Sequence, residues 1–317
     1  MRPCGICGNA ESNRVVRAKE MMFGLQDPFD YLECSRCGCI QLLEVPSDWS
    51  RYYPPNYYSF QPSREGSLKR MLKRLRSRQA LGDRSVLGAI LLRKWGVPPF
   101  VRWIEPAGLR WDDAILDVGS GSGQILGDMS AAGFSNLTGV DPFIPADATM
   151  ANGVRLLKRR LGEVSGSFDF VMMNQSFEHM DDPKSRLLEA ARLLPAGRML
   201  LLRIPVAGKF AWREYEADWV QLDPPRHLFI HSEESIRILA ASAGFTVREI
   251  RYDSDSFQFW GSEQYRRGIP LHDARSYAVD PARSSFSPRQ IDDYQGRADA
   301  LNASGDGDQA SFYLVRV

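Results

Sequence analysis

The sequence predicts an α/β fold: a doubly wound, mostly parallel sheet with a separate cysteine-bearing module ahead of it. Three observations carry that prediction. Apolar runs of strand length alternate with helical stretches from Trp111 to Arg251, the order that βαβ units produce. A glycine loop, Gly119-Ser-Gly-Ser-Gly123, joins the first of those strands to the first of those helices. All five cysteines fall within the first 39 residues, apart from the sheet.

Taken in order, Ala114 to Val118 reads as a short buried strand and Gln124 to Ala132 as a helix. Glycines at every second position between them turn the chain sharply, and without Cβ atoms they let a ligand approach the backbone. Such a loop also aims backbone N–H groups at the switch point of a doubly wound sheet. A nucleotide-type pocket follows, with a glycine-rich surface turn as the alternative. Leu137-Thr-Gly-Val-Asp141-Pro142 reads as the second strand, with its carboxylate 20 residues after Gly121. Asp141 can accept hydrogen bonds from both ribose hydroxyls. It can also cap a helix, with Pro142 as the first helical residue.

Further on, Phe168 to Asn174 is an apolar strand followed by the loop Gln175 to Pro183, and Pro183 to Leu194 is helical. Met199 to Val206 is a strand interrupted by Arg203. Ser232 caps a helix from Glu233 to Ala243 that Gly244 closes. Phe245 to Tyr252 and Ser311 to Val317 are the remaining strands. The connection from Gly261 to Gly307 is too long to lack structure of its own. It is expected to hold helices, Pro288 to Asn302 foremost, and to cover the mouth of the site. The chain thus divides into residues 1–45, a linker at 46–110, and a main domain at 111–317 with an insertion at about 261–307.

Spacing decides which nucleotide the loop suits. A dinucleotide fingerprint needs a glycine at the sixth position, where this chain has Gln124 or Leu126, and no Gly-Lys-Ser/Thr follows for a phosphate loop. A nicotinamide-dependent oxidoreductase is disfavoured on the same ground. Leu116-Asp-Val-Gly-Ser-Gly-Ser-Gly123 resembles instead the first motif, E/D-x-G-x-G-x-G, of class I S-adenosylmethionine (SAM)-dependent methyltransferases. The resemblance runs from Trp111 to Arg251. It implies a Rossmann-like seven-stranded class I methyltransferase sheet, mostly parallel with an antiparallel last strand, and SAM as cofactor. By the same resemblance Asp117, Gly119, Ser120, Gly121, Gly123, Asp141 and Pro142 contact the cofactor. Leu161 lies near the adenine edge, and Asn174 and Gln175 belong to a fourth motif whose loop closes over the sulfonium.

The cysteines form two knuckles, Cys4-Gly-Ile-Cys7-Gly and Cys34-Ser-Arg-Cys37-Gly, separated by 26 residues. Two such knuckles supply four thiolates for tetrahedral Zn2+, and the glycine after each pair permits the N–H···S turn around the metal. A hairpin fits in the spacer. Disulfides or a redox pair are the rivals. Without an export signal disulfides are disfavoured, and a redox motif would not come duplicated. Cys39 reads as a free thiol nearby. A closed four-thiolate site is structural.

After the module, Val45-Pro-Ser-Asp-Trp-Ser-Arg-Tyr-Tyr-Pro-Pro-Asn-Tyr-Tyr-Ser59 reads as an aromatic strap. Zinc knuckles followed by such a strap resemble the N-terminal part of bacterial methyltransferases acting on sugars and secondary metabolites. Tyr57 or Tyr58 then stands at the methyl acceptor, or simply packs. Ser67 to Trp95 carries nine basic residues against Asp83 alone, and Leu68, Met71, Leu72 and Leu75 recur at helical spacing. A solvated basic helix is one reading. Attraction to a nucleotide-linked sugar or peripheral contact with an acidic membrane is the other.

Methyl transfer asks for in-line alignment and, for a hydroxyl acceptor, removal of a proton. Of four histidines, His179 follows the fourth strand and His227 the fifth, both facing the ligand crevice of such a sheet. They are the base candidates, with a structural role as the alternative, and Tyr58 joins them as a candidate catalytic group. His231 belongs to the next helix cap and His272 to the insertion. Related sugar C-methyltransferases carry Glu-His where this chain has Arg226-His227. The missing carboxylate and the added guanidinium would lower the imidazole's basicity, so O-methylation of a sugar hydroxyl is the first expectation. C- or N-methylation of a nucleotide-linked sugar, a non-catalytic zinc scaffold and a nucleic-acid methyltransferase are the alternatives. Net charge is +1, which makes no general case for nucleic acid, and Asn174-Gln-Ser-Phe177 lacks a base-pocket motif. No apolar run reaches the ~20 residues of a membrane helix, and no signal peptide is read, which gives a cytoplasmic expectation.

Overall fold

The computed structural model describes residues 2–54 and 66–317. Its first elements are strands β1 (Arg14–Lys19), β2 (Pro28–Glu33) and β3 (Ile40–Leu42). Helices α1 (Ser67–Ala80), α2 (Val86–Trp95) and α3 (Pro99–Ile104) lead into β4 (Ala114–Val118), α4 (Gln124–Ala132), β5 (Asn136–Val140), β6 (Ala148–Thr149) and β7 (Arg155–Leu157). There follow β8 (Phe170–Asn174), α5 (Pro183–Leu193), β9 (Met199–Pro205), α6 (Phe210–Tyr215) and β10 (Phe229–Ile230). The chain ends with α7 (Glu233–Ser242), β11 (Phe245–Tyr252), α8 (Phe257–Arg266), α9 (Pro288–Ala303) and β12 (Gln309–Arg316).

The main sheet has the order β11-β12-β9-β8-β4-β5-β7-β6. Neighbours from β9 to β7 are parallel, whereas β12 runs antiparallel to both β9 and β11. This is the expected class I methyltransferase sheet, with β6 added as a two-residue antiparallel edge. Both faces are covered, so its strands are apolar on both sides. Along β8, Val171 and Met173 face one core with Leu187, Ile236 and Leu239, while Phe170 and Met172 face another with Leu126, Met129 and Phe100. Strand order reverses between β4 and β8, which opens the crevice at their carboxyl ends.

The N-terminal strands form a second, antiparallel sheet, β1-β2-β3-β10, whose last strand comes from the segment after β9. A third apolar cluster, including Tyr31, Trp212, Trp219 and Phe259, fills the space between that sheet and α6 and α8. The cysteine module is therefore bonded directly to the loop that carries His227. The insertion starts earlier than expected, with α8 beginning at Phe257. Its second helix, α9, opens on Pro288 with Ser287 and Gln290 in a reciprocal cap. No helix follows Asp141: Phe143 N donates to its Oδ1 at 2.8 Å, so Pro142 belongs to a turn rather than a first helical turn.

The basic segment forms two helices rather than one, broken around Gly82. A Cβ on Gly88 would sit 2.9 Å from the Leu75 carbonyl oxygen, so that glycine lets α2 lie close against α1. Lys73 Nζ anchors α1 to Asp128 of α4 at 2.9 Å. Leu68, Met71, Val86, Leu87, Ile90 and Trp95 are exposed on this pair. Among the described residues, no helix is long and apolar enough to cross a membrane.

Candidate active site

The glycine loop is held by its neighbours rather than by its own side chains. Gly119 N donates to Val140 O at 2.8 Å and Gly123 N to Ser120 O at 2.8 Å. Gly121 N donates to Asp141 Oδ2 at 3.0 Å, which ties the loop to the end of β5. Gly119, Gly121 and Gly123 have φ of 78°, 49° and 73°, left-handed values that suit glycine. A Cβ on Gly119 would meet Ser176 Cβ at 2.5 Å, and one on Gly123 would meet Leu156 Cδ2 at 2.8 Å. The loop is therefore bare by steric necessity, a fit to a ligand that must touch backbone.

Two carboxylates stand beside it. Burial, reinforced by the charge of Asp141, pushes Asp117 up to about 7. Burial raises Asp141 as well, opposed by the N–H groups of Phe143 and Gly121. Each Asp141 oxygen receives one of those bonds, and a carboxylate oxygen has capacity for a second. Ser120 Oγ is buried without a hydrogen-bond partner. Leu161 lies in the core with Val140 and Leu116.

Ser176 Oγ donates to Val118 O at 2.7 Å, so the loop after β8 lies against the glycine loop. Gln175 and His179 of that loop face a cavity of about 320 Å³ lined also by Arg203, Gln221, Asp223, His227, Ser254, Asp255, Phe257 and Gln309. These come from the carboxyl ends of β8, β9 and β11, the segment between α6 and β10, the start of β12 and the beginning of the insertion. Arg203, the polar interruption of β9, bonds Asp253 Oδ2 at 2.6 Å and Asn174 Oδ1 at 3.3 Å. Gln175 Nε2 donates to Gln309 Oε1 at 2.6 Å. Gln175 and Asp223 both have positive φ, 52° and 42°. Such values cost energy and persist where the surroundings fix them.

The two imidazoles meet on the cavity wall, centroids 4.6 Å apart and 66° between planes. His227 Nδ1 lies 2.8 Å from Gln221 O, and His179 Nδ1 lies 2.9 Å from Arg226 O. A carbonyl only accepts, so each Nδ1 carries the proton and each Nε2 keeps its lone pair. Burial and the neighbouring His179 hold His227 down to about 3, and burial lowers His179 too. Behind them Glu178 is fully buried, and burial pushes its carboxyl up to about 8. Its Oε1 is 4.0 Å from His227 Nε2.

The electrostatic argument from Arg226 holds in direction, since its charge adds to the lowering of His227 behind burial and His179 and against Asp223, but its setting differs from the one expected. Arg226 does not face the imidazole as a bare cation. Its buried guanidinium bonds Asp223 at 2.6 Å and Glu20 at 3.0 Å, closing an ion-pair triad between the N-terminal hairpin and the His227 loop. The carboxylate taken as missing is supplied by Asp223, whose Oδ2 lies 3.9 Å from His227 Nε2. Sequence reasoning missed Glu178, Asp223 and Glu20 as neighbours of this site. Glu178 was adjacent to a chosen histidine, a usable signal, whereas Glu20 lies 206 residues from its partner. His231 is buried against Phe177 and Phe229, and His272 stacks on Phe23. Tyr57 and Tyr58 lie outside the described residues.

The four Sγ atoms of Cys4, Cys7, Cys34 and Cys37 lie within 4.8 Å of one another. Cys4 and Cys37 are 3.6 Å apart and Cys7 and Cys34 3.5 Å, far beyond a disulfide bond of about 2.05 Å. Ile6 N and Cys37 N point at Cys4 Sγ and Cys34 Sγ. The group can hold a tetrahedral metal ion. Cys39 is buried outside it, and burial pushes its thiol well above the ordinary range.

The methyltransferase-domain family model matches residues 65–250, more than half of the chain. EEF1A lysine methyltransferase 2 of Danio rerio is 35% identical over 77 residues, covering 24% of this chain and 30% of that protein. Its Mus musculus counterpart is 33% identical over 69 residues, covering 22% and 27%. The chain thus spans under a third of the length of these curated relatives. Among solved structures, the cyclopropane synthase MmaA2 of Mycobacterium tuberculosis aligns with a TM-score of 0.45 at 17% identity, covering 78% of this chain and 94% of that one. The geranyl diphosphate C-methyltransferase of Streptomyces coelicolor A3(2) aligns with 0.45 at 16%, covering 76% and 87%. With the family model spanning the glycine loop, the β4–β8 crevice and the loop of His227, the chain belongs to the methyltransferase-domain family and carries a class I SAM-dependent methyltransferase domain.

Proposed function

We propose that this enzyme methylates a hydroxyl of a polyhydroxylated small molecule, a nucleotide-linked sugar or a glycan, in polysaccharide or secondary-metabolite biosynthesis. The observation that carries the reading is the cavity beside the glycine loop. Three glutamines, two aspartates, a serine and an arginine line it, against a single phenylalanine. Such alternation of donors and acceptors suits an acceptor rich in hydroxyls, because each unmatched buried polar group would cost affinity.

In this reading Asp141 accepts from the ribose hydroxyls and the backbone of Gly119 to Gly123 carries the amino-acid end of SAM. Asp117, Ser120, Pro142, Leu161, Asn174 and Gln175 complete that half. SAM supplies an electrophilic methyl group on a positively charged sulfur. The chain's own residues orient the acceptor, exclude water and take the proton. His227 Nε2 is the proton acceptor, helped by His179, and Asp223 stabilises the imidazolium that forms. Zn2+ on Cys4, Cys7, Cys34 and Cys37 is structural: it fixes the hairpin whose sheet continues into β10, next to His227.

A lysine side chain of a protein is the second reading. The partial match to lysine methyltransferases favours it, as do two carboxylates, Asp223 and Asp255, in the lining. Incubation with radiolabelled SAM and separate panels of nucleotide sugars, glycans and lysine-bearing proteins tests both. Label on a sugar oxygen is expected. Label confined to protein lysines overturns the first reading in favour of the second.

A further inference from the structure

We propose that Glu178, His179 and His227 form a divalent-cation site on the wall of the acceptor cavity. One carboxylate oxygen and one nitrogen of each imidazole lie within 4.8 Å of one another. Both Glu178 oxygens are buried with no hydrogen-bond partner, an unusual state for a carboxyl group and one that a cation relieves. His227 Nε2 stands 4.0 Å from Glu178 Oε1, too far for a hydrogen bond. Ligands at about 2.1 Å from a metal lie about 3–3.5 Å apart, so closure by ~1 Å or less between His227 and Glu178, and by no more than ~2 Å for any pair, brings the group to coordination distance.

The backbone already orients the imidazoles as ligands. Gln221 O fixes the Nδ1 proton of His227 and Arg226 O that of His179, the outer-shell arrangement usual for metal-bound histidine. Two imidazoles and a carboxylate suit a first-row divalent transition ion, such as Zn2+ or Mn2+, rather than Ca2+. Three protein ligands leave coordination positions open, and His179 and His227 line the cavity. This distinguishes the group from the closed four-thiolate cluster.

The catalytic role rests on the hydroxyl-acceptor reading; the site itself does not. Two routes then alternate: without an ion His227 Nε2 takes the proton, and with an ion bound both imidazoles serve as ligands. The acceptor O–H, polarised by the ion, loses its proton to water of the cavity. The oxygen lone pair forms the new O–C bond as the C–S electron pair returns to sulfur.

The test uses the full chain with its cysteine cluster loaded with zinc, titrated with Mn2+, an ion that thiolates bind poorly. Calorimetry and electron paramagnetic resonance should find one Mn2+ per chain. Glu178→Gln and His179→Ala should each weaken it by more than about 100-fold, beyond the loss expected for an outer-shell partner. Circular dichroism shows whether each variant folds, and a folded one of the two suffices. Absence of Mn2+ binding at millimolar concentration, or unchanged binding in a folded variant, overturns the site. Metal binding without methyl transfer to any hydroxyl would instead overturn the acceptor reading and leave the site standing. Full hydroxyl methylation by protein that binds no Mn2+ would do the reverse.

Discussion

The two sides of the crevice are built in opposite ways. The side proposed for the cofactor is mostly backbone: five consecutive residues after β4, fixed by Val140 and Asp141 at the end of one adjacent strand. The side proposed for the acceptor is mostly side chain, assembled from β8, the long loop after β9, the end of β11 and the start of β12. A backbone site depends on local conformation, and conformation is written as glycine spacing. A side-chain site depends on which distant segments meet, and in this chain the N-terminal hairpin helps decide that through Glu20 and Arg226.

Gly119→Ala should break the cofactor side most severely, because its Cβ meets Ser176 and its φ is 78°. Calorimetry is expected to detect no SAM binding by a folded variant. Retained affinity would mean that the loop does not carry the cofactor. Next in size, His227→Ala should leave SAM affinity unchanged and lower kcat by about 10²–10⁴-fold. Near-normal turnover would remove His227 from the acceptor side's chemistry.

Arg226→Met tests the connection between hairpin and site. It strands the buried carboxylates of Glu20 and Asp223, and denaturant unfolding should show a loss of about 3–5 kcal/mol. A strong chelator should lower the melting temperature of the whole chain, because the cysteine hairpin shares its sheet with β10. A metal assay finding no zinc in the purified protein would sink that assignment.

The last expectation is a pH dependence beside the glycine loop. In the folded protein without ligand, Asp117 is raised to about 7 from an ordinary value near 3.8. The unfolded chain therefore loses that proton first. Stability should decline as pH rises from about 4 to about 7 and level off above. Asp117→Asn should flatten that slope, as read by unfolding at several pH values, and an unchanged slope would show that Asp117 is not its source.

Legibility follows the same division. Strand β11 and helix α4 were read to the residue, since alternation, glycine stops and local caps are written within the segment. The Pro288 helix was visible through its cap and proline. What could not be read was a partner at long range. Arg226 seemed to be a cation beside His227, and folding turns it into the centre of a buried triad. Asp141 with Pro142 resembles a helix start, and the chain instead makes a turn because β6 pairs back onto β7.

The order of strands and helices, the bare loop after β4, the acid ending β5 and the paired cysteine knuckles were determined by sequence alone. Each rests on interactions spanning a few residues, or on a repeat that declares itself. Only the tertiary structure decided which charges face one another in the acceptor cavity and that the first hairpin shares a sheet with β10. Burial makes those pairings strong, and burial is a property of the assembled fold, not of any stretch of chain.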